Sequence, residues 1–224
     1  MRGFLLMGLL LATGLQPALA DVRIPAGGAI SLGGGSLVNA GDMEIAGMLD
    51  AGSWSISLSG DWTRTGTFVP GTSTVSFTDG GRAQSAFTGD SAFHDLRLVS
   101  STGKTYVIES GRTLNIASAL TIRGIDGAPI EVASPDPSRV AFMNLAANGS
   151  QDIEFVGVSN VHADVQPLAP DQTNQGGTGN DRGWFGSLPI VALPIPTLST
   201  FALLLLALLM VATTARRASP RNFA

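Results

Sequence analysis

The chain has 224 residues, no cysteine, 28 glycines and a net charge of −4, with only 13 % of its residues charged. Without thiols it can build neither a disulfide framework nor a thiolate metal site. High glycine and low charge, with no long charged periodic stretch, favour a β-rich, turn-rich exported protein over a helical one.

The first element in chain order is a leader. Met1-Arg2 is a short positive start, Phe4–Leu11 is apolar, and Gly14 and Pro17 break the helix. Ala18-Leu19-Ala20 gives the small-x-small pattern of a cleavage site. Residues 1–20 are therefore expected to be a signal peptide removed after Ala20, the other reading being an uncleaved anchor.

Residues 21–186 form the body, and it repeats. "GDMEIAGMLDAGSWSISL" (41–58) aligns with "GDWTRTGTFVPGTSTVSF" (60–77) at an offset of 19 residues. Gly41/Gly60, Asp42/Asp61, Gly47/Gly66 and Gly52/Gly71 coincide, as do Leu49/Phe68, Ile56/Val75 and Leu58/Phe77. A third copy is read in "TLNIASALTIRG" (113–124), where Leu114, Ile116 and Leu120 fall on Met43, Ile45 and Leu49. The apolar runs alternate with period two, so each buries one face. Runs this short are unstable alone, and stacking each repeat on the next supplies both partners and a core. The expectation is an all-β parallel solenoid with glycines at corners that need a positive φ. The competing arrangement is an antiparallel sandwich, disfavoured by the scarcity of tight Asn-Gly turns between the runs.

Further along, Ala133–Arg139 reads as a loop, Val140–Leu145 and Ile153–Val158 as strands, and Asp164–Gly179 as a polar loop. Trp184-Phe185 is placed to cover the last turn of the core.

Few residues in the body suggest chemistry. His94 and His162 are the only histidines and lie far apart, so no histidine pair offers metal ligands. Alternation puts His94 on the face of Leu96 and Leu98, or at the strand entry, as a partly buried structural histidine. Asp42 and Asp61 would stack one turn apart, about 4.8 Å, either holding Ca²⁺ or capping turns through backbone N–H groups. Asp171, Asn174, Asn180 and Asp181 offer oxygens in a glycine-rich loop, at a spacing that fits no EF-hand and suits a closing loop better. Trp54, Trp62 and Tyr106 are read as packing residues in preference to a sugar-stacking platform. Asn148-Gly-Ser150 matches a glycosylation sequon, which is given no weight. No phosphate loop, nucleophile elbow or dinucleotide fingerprint occurs, and no cofactor is implied.

The chain closes on a second apolar run. Residues 187–197 are a proline-rich linker, and Leu198 to Ala215 carry no charge. As a helix those residues would span roughly 27 Å, about one bilayer core. Arg216, Arg217 and Arg221 follow in a basic tail, 216–224, which the positive-inside rule keeps cytoplasmic. Without both ends the body has 9 basic and 17 acidic residues, or −8, a poor partner for nucleic acid.

Ile195-Pro196-Thr197-Leu198-Ser199, an apolar helix and Arg216-Arg217 resemble the IPTL-type C-terminal sorting signal of Gram-negative envelope proteins. Phe201-Ala202 stands where members of that family usually carry Trp-Gly. The resemblance implies recognition, and cleavage near the motif, by a membrane protease of the exosortase class. "GDWTRTGTFVPGTSTVSFTDG" with Phe93-His94-Asp95-Leu96, and the closing "NQGGTGNDRGWFG", resemble the right-handed β-helix repeats of bacterial surface and adhesin-like proteins. The resemblances imply a non-enzymatic envelope or surface protein whose partners are the membrane, the sorting protease and a surface polysaccharide or matrix. Two alternatives remain: a carbohydrate-active β-helix enzyme, which needs acidic or basic groups converging on one groove, and a protein permanently anchored in the inner membrane.

Overall fold

The computed structural model describes residues 20–186, and these form a parallel β-solenoid of about seven turns. The first turn holds β1 (Val22–Ile24), β2 (Ala29–Ser31) and β3 (Ser36–Ala40). The second holds β4 (Met43–Ile45), β5 (Met48–Asp50) and β6 (Ser55–Leu58). The third holds β7 (Trp62–Arg64), β8 (Thr67–Val69) and β9 (Thr74–Phe77). The fourth and fifth each pair a short strand with a long bent one: β10 (Gln84–Thr88) with β11 (Ser91–Val99), then β12 (Thr105–Ile108) with β13 (Thr113–Arg123). The sixth has β14 (Ile130–Ala133), β15 (Ala141–Leu145) and β16 (Ser150–Glu154); the last has β17 (Val156–Ser159) and β18 (Val161–His162). No helix occurs among the described residues.

Stacking turns on turns makes three sheets. The first runs β1-β4-β7-β10-β12-β14-β17, the second β2-β5-β8, and the third β18-β15-β13-β11-β9-β6-β3, with β16 also on β13. Every strand pair in the ladders is parallel, as between Met43 and Trp62 or Ile56 and Val75. The antiparallel alternative is therefore excluded for 41–58 against 60–77.

Alternation drives the packing. Met43, Trp62, Phe87 and Ile108 lie on one inward row of the first sheet. Leu58, Phe77, Leu98, Ile122 and Ile153 form another in the third. All these side chains are buried. Trp62, Phe68 and Phe93 pack ring to ring at 4.9 and 5.2 Å, and Phe77 meets Phe87 at 4.8 Å. Aromatic bulk fills the middle turns, where the rings' edges and faces add to area burial.

Three expectations are corrected. The third repeat copy is one strand out of phase: Leu114 and Ile116 pair with Ser91 and Phe93, at the corner-side end of the third sheet, and not with the first-sheet row of Met43 and Ile45. Ile153–Val158 is not one strand. Phe155 turns the chain at φ 52°, sending Ile153 into the third sheet and Val156 into the first. Most of the repeat glycines are not required for a positive φ either. Gly52 and Gly71 have it, at 54° and 55°. At Gly47 and Gly66 the reason is crowding: a Cβ on Gly66 would sit far inside contact with the Gly47 carbonyl oxygen, and one on Gly47 would strike that of Gly28.

Candidate functional site

The outer face of the third sheet carries regular rows of polar residues. Ser36, Ser55, Thr74 and Asp95 follow one another from β3 to β11, and Ser57, Ser76 and Arg97 run beside them from β6 to β11. Strand alternation turns these residues outward because their neighbours Ile56, Val75 and Leu96 point into the core. Hydroxyls are thus spaced by about 4.8 Å along the stack and about 7 Å along each strand. Thr74 Oγ1 donates to Asp95 Oδ2 at 3.3 Å. At the far side Arg123 grips Asp152 with two hydrogen bonds, 2.8 and 2.9 Å, which hold its guanidinium firmly protonated.

The carboxylates expected to hold Ca²⁺ or to cap turns form a ladder along one corner. Asp21 Oδ1 accepts the N–H of Asp42 at 2.9 Å, Asp42 Oδ1 accepts that of Asp61 at 2.9 Å, and Asp61 Oδ1 accepts that of Ala86 at 2.8 Å. Arg82 joins Asp42 at 2.8 Å. The aspartates stack, as expected, and each is used to tie its turn to the next. Other ion pairs do the same between turns: Arg23–Glu44, Arg112–Asp90 and Arg182–Asp164. Among the described residues no cluster of three or more metal-ligating side chains occurs.

No protein-family profile, no curated protein and no solved structure matches this chain.

The remaining candidates are placed individually. His94 sits where the register slips between Phe93 and Asp95, half-buried with Nδ1 3.1 Å from Asp95 Oδ1, and not on the inward row of Leu96 and Leu98. His162 lies three turns away against Asn180, at 3.2 Å. The structure does not bring the two together. Trp62 and Tyr106 are fully buried, Trp62 Nε1 donating to Ser91 Oγ at 2.9 Å and the Tyr106 hydroxyl to the Phe77 carbonyl at 3.3 Å; Trp54 is half-buried over Gly35. Asn174 caps the first sheet. Its side-chain oxygen accepts the Val158 N–H at 3.0 Å and its amide donates to the Val158 carbonyl at 2.9 Å, as a further strand would. The same amide reaches Asp181 at 2.8 Å, and Asn180 reaches Asn160 at 3.1 Å. Trp184, bridged to Leu168, is fully buried over the last turn. Asp171 is exposed at the edge of this loop.

Ala20 is described: its carbonyl accepts the N–H of Gly41 at 2.9 Å. Ala18, the motif Ile195, Pro196, Thr197, Leu198 and Ser199, and the arginines Arg216 and Arg217 lie outside the described residues. No helix among the described residues is long and apolar enough to cross a membrane, and the span expected at 198–215 falls outside them.

One residue went unnoticed in the sequence. Lys104, the single lysine of the chain, is 0 % exposed. Nζ donates to the Ser59 carbonyl at 2.7 Å and the Thr78 carbonyl at 2.8 Å, oxygens that lie on two successive turns. It lies 5.5 Å from the centre of the Tyr106 ring. Burial lowers its pKa to about 8, against the pull of Asp79. The signal was present: period-two alternation sets Lys104 on the inward face with Tyr106 and Ile108.

Proposed function

We propose that the chain is an exported envelope protein whose solenoid winds right-handed and presents the serine-threonine face of the third sheet to a surface polysaccharide or matrix, without catalysing a reaction. Right-handed winding is the hand taken by nearly all parallel crossovers. The observation that carries the non-enzymatic reading is the use of charge. Asp42, Asp61, Asp90, Asp152 and Asp164 each bind a backbone N–H or an arginine of another turn, so these charges serve to hold turn to turn. A sugar-cleaving site needs at least two such groups facing one bond.

The ends supply the address. The leader directs export, the apolar run 198–215 holds the chain in the inner membrane, and Ile195-Pro196-Thr197-Leu198-Ser199 is the sequence that an exosortase-like protease would read. Mass spectrometry of the mature protein tests the route. Termini at Asp21 and near the motif are expected; a mature peptide containing Arg216 overturns processing and leaves a permanently anchored protein. Binding of labelled surface polysaccharide to cells carrying Ser55→Lys and Ser76→Lys tests the face: binding should fall, and unchanged binding overturns the assignment.

A further inference from the structure

The two ends of the stack are built differently. At the last turn, Asn174 and Gln175 occupy the hydrogen-bonding groups of β17, and Trp184 covers the core. At the first turn, among the described residues, β1 is bonded only to β4, β2 only to β5 and β3 only to β6. Ile30 points inward on the row of Leu49 and Phe68 but is 39 % exposed. Edge strands are ordinarily blunted by lysine, proline or a covering segment. β1, β2 and β3 contain neither lysine nor proline.

We propose that this first turn is an isologous interface with a second copy of the chain, the two stacks joining first turn to first turn through antiparallel pairing of β1 about a two-fold axis at Val22. The backbone selects the register. The Val22 N–H donates to Asp42, and the Ile24 carbonyl accepts from Ala46. Because a strand alternates, the polar groups of Asp21 and Arg23 point the other way, off the open end. Only registers that set these residues against one another satisfy both edges. Centring on Asp21 opposes two carboxylates. Centring on Arg23 opposes two guanidinium groups and leaves Asp21 facing a proline with no N–H. Centring on Val22 sets Asp21 opposite the partner's Arg23, twice, on the outward face. Both are exposed; the Arg23 side chain keeps 75 % of its surface beyond its contact with Glu44.

The same axis reverses the winding, so β2 meets the partner's β3 and the exposed Ile30 is brought to that seam. A head-to-tail chain of copies is blocked by the closed last turn, which leaves the two-fold arrangement as the one that closes. The joint rests on the export reading in one respect: it takes the leader as removed.

The chain has no cysteine, so a single introduced thiol reports the axis. Full-length chain carrying Val22→Cys, exported and oxidised in its envelope, is expected to run as a disulfide dimer. Facing Cα atoms of a non-hydrogen-bonded antiparallel pair lie about 4.5 Å apart, within disulfide reach. Thr173→Cys at the closed end should stay monomeric. Adding Asp21→Arg or Arg23→Asp alone to Val22→Cys should lower the dimer yield about fivefold or more, and adding both should restore it. Light scattering of the unsubstituted chain in detergent should give twice the monomer mass. A monomer in light scattering, no dimer from Val22→Cys, or no recovery in the double charge swap overturns the interface. The N-terminal mass of the same material separately reads whether the leader was removed.

Discussion

Lys104 Nζ lies 2.7 Å from the carbonyl oxygen of Ser59, a residue 45 positions earlier and on another turn. The contact places an amine where a solenoid normally stacks backbone and apolar side chains. It also sets the alkaline behaviour of the protein. Lys104 titrates at about 8 in the folded chain and near 10.5 when unfolded. Between these values the unfolded chain binds more protons, so stability rises as pH increases from about 8 toward 10.5. Tyr106 has the opposite sign. Burial raises its pKa above the ordinary 10.0, so its contribution is lost as pH climbs past that point. Urea unfolding followed by tryptophan fluorescence should show a maximum near pH 10, with a rise on the order of 1–3 kcal/mol from pH 7.5. In Lys104→Met the rise should vanish. A flat profile in the parent protein would contradict the buried amine.

The glycine corners respond to substitution according to space. Gly66→Ala drives a Cβ into the Gly47 carbonyl and should cost about 3–5 kcal/mol. Gly27→Ala, where φ is 80° and the space is open, should cost only about 1–2 kcal/mol of backbone strain. Equal urea midpoints for the two variants would show that the turns are not in contact at this corner.

Asp42 tests the aspartate ladder. Asp42→Ala leaves the Asp61 N–H without its acceptor and removes the partner of Arg82, at a cost of about 1–3 kcal/mol. Asp42→Asn keeps an acceptor oxygen and should recover most of that loss. If metal binding were the role instead, Ca²⁺ would raise the melting temperature of the parent chain and not of Asp42→Asn; no such shift is expected.

The closing loop is tested at Asn174. Asn174→Ala withdraws both bonds to Val158 and should cost about 1–3 kcal/mol. Hydrogen exchange at Val158 should quicken well before that in the third and fourth turns. Uniform exchange along the stack would mean that the loop does not protect the end.

Much of this architecture is visible in one dimension because a solenoid converts sequence period into contact. Met43, Leu49 and Ile56 meet Trp62, Phe68 and Val75 at the offset of 19 residues that the alternating runs already display. Trp184 covers the last turn for the same local reason: a bulky apolar pair closes a chain of alternating residues. The phase of Leu114 was hidden, because turns differ in length. Asp42 and Asp61 are 19 residues apart, but Asp61 reaches Ala86 over 25, and residues near Ser134 and Asn160 match over 26. Corner loops absorb the difference, and β11 and β13 run through the corner that β8 and β9 turn.

The sequence by itself determined that strands would stack parallel at a short period, that glycine would mark the corners, and that the chain would carry apolar ends around an acidic body. Only the tertiary structure decided which residues share a turn, why Gly47 and Gly66 tolerate no Cβ, and how Lys104 comes to lie between the Ser59 and Thr78 carbonyls. The physical reason is that alternation is local and survives in any fold, whereas rung-to-rung contact depends on the summed length of every intervening loop.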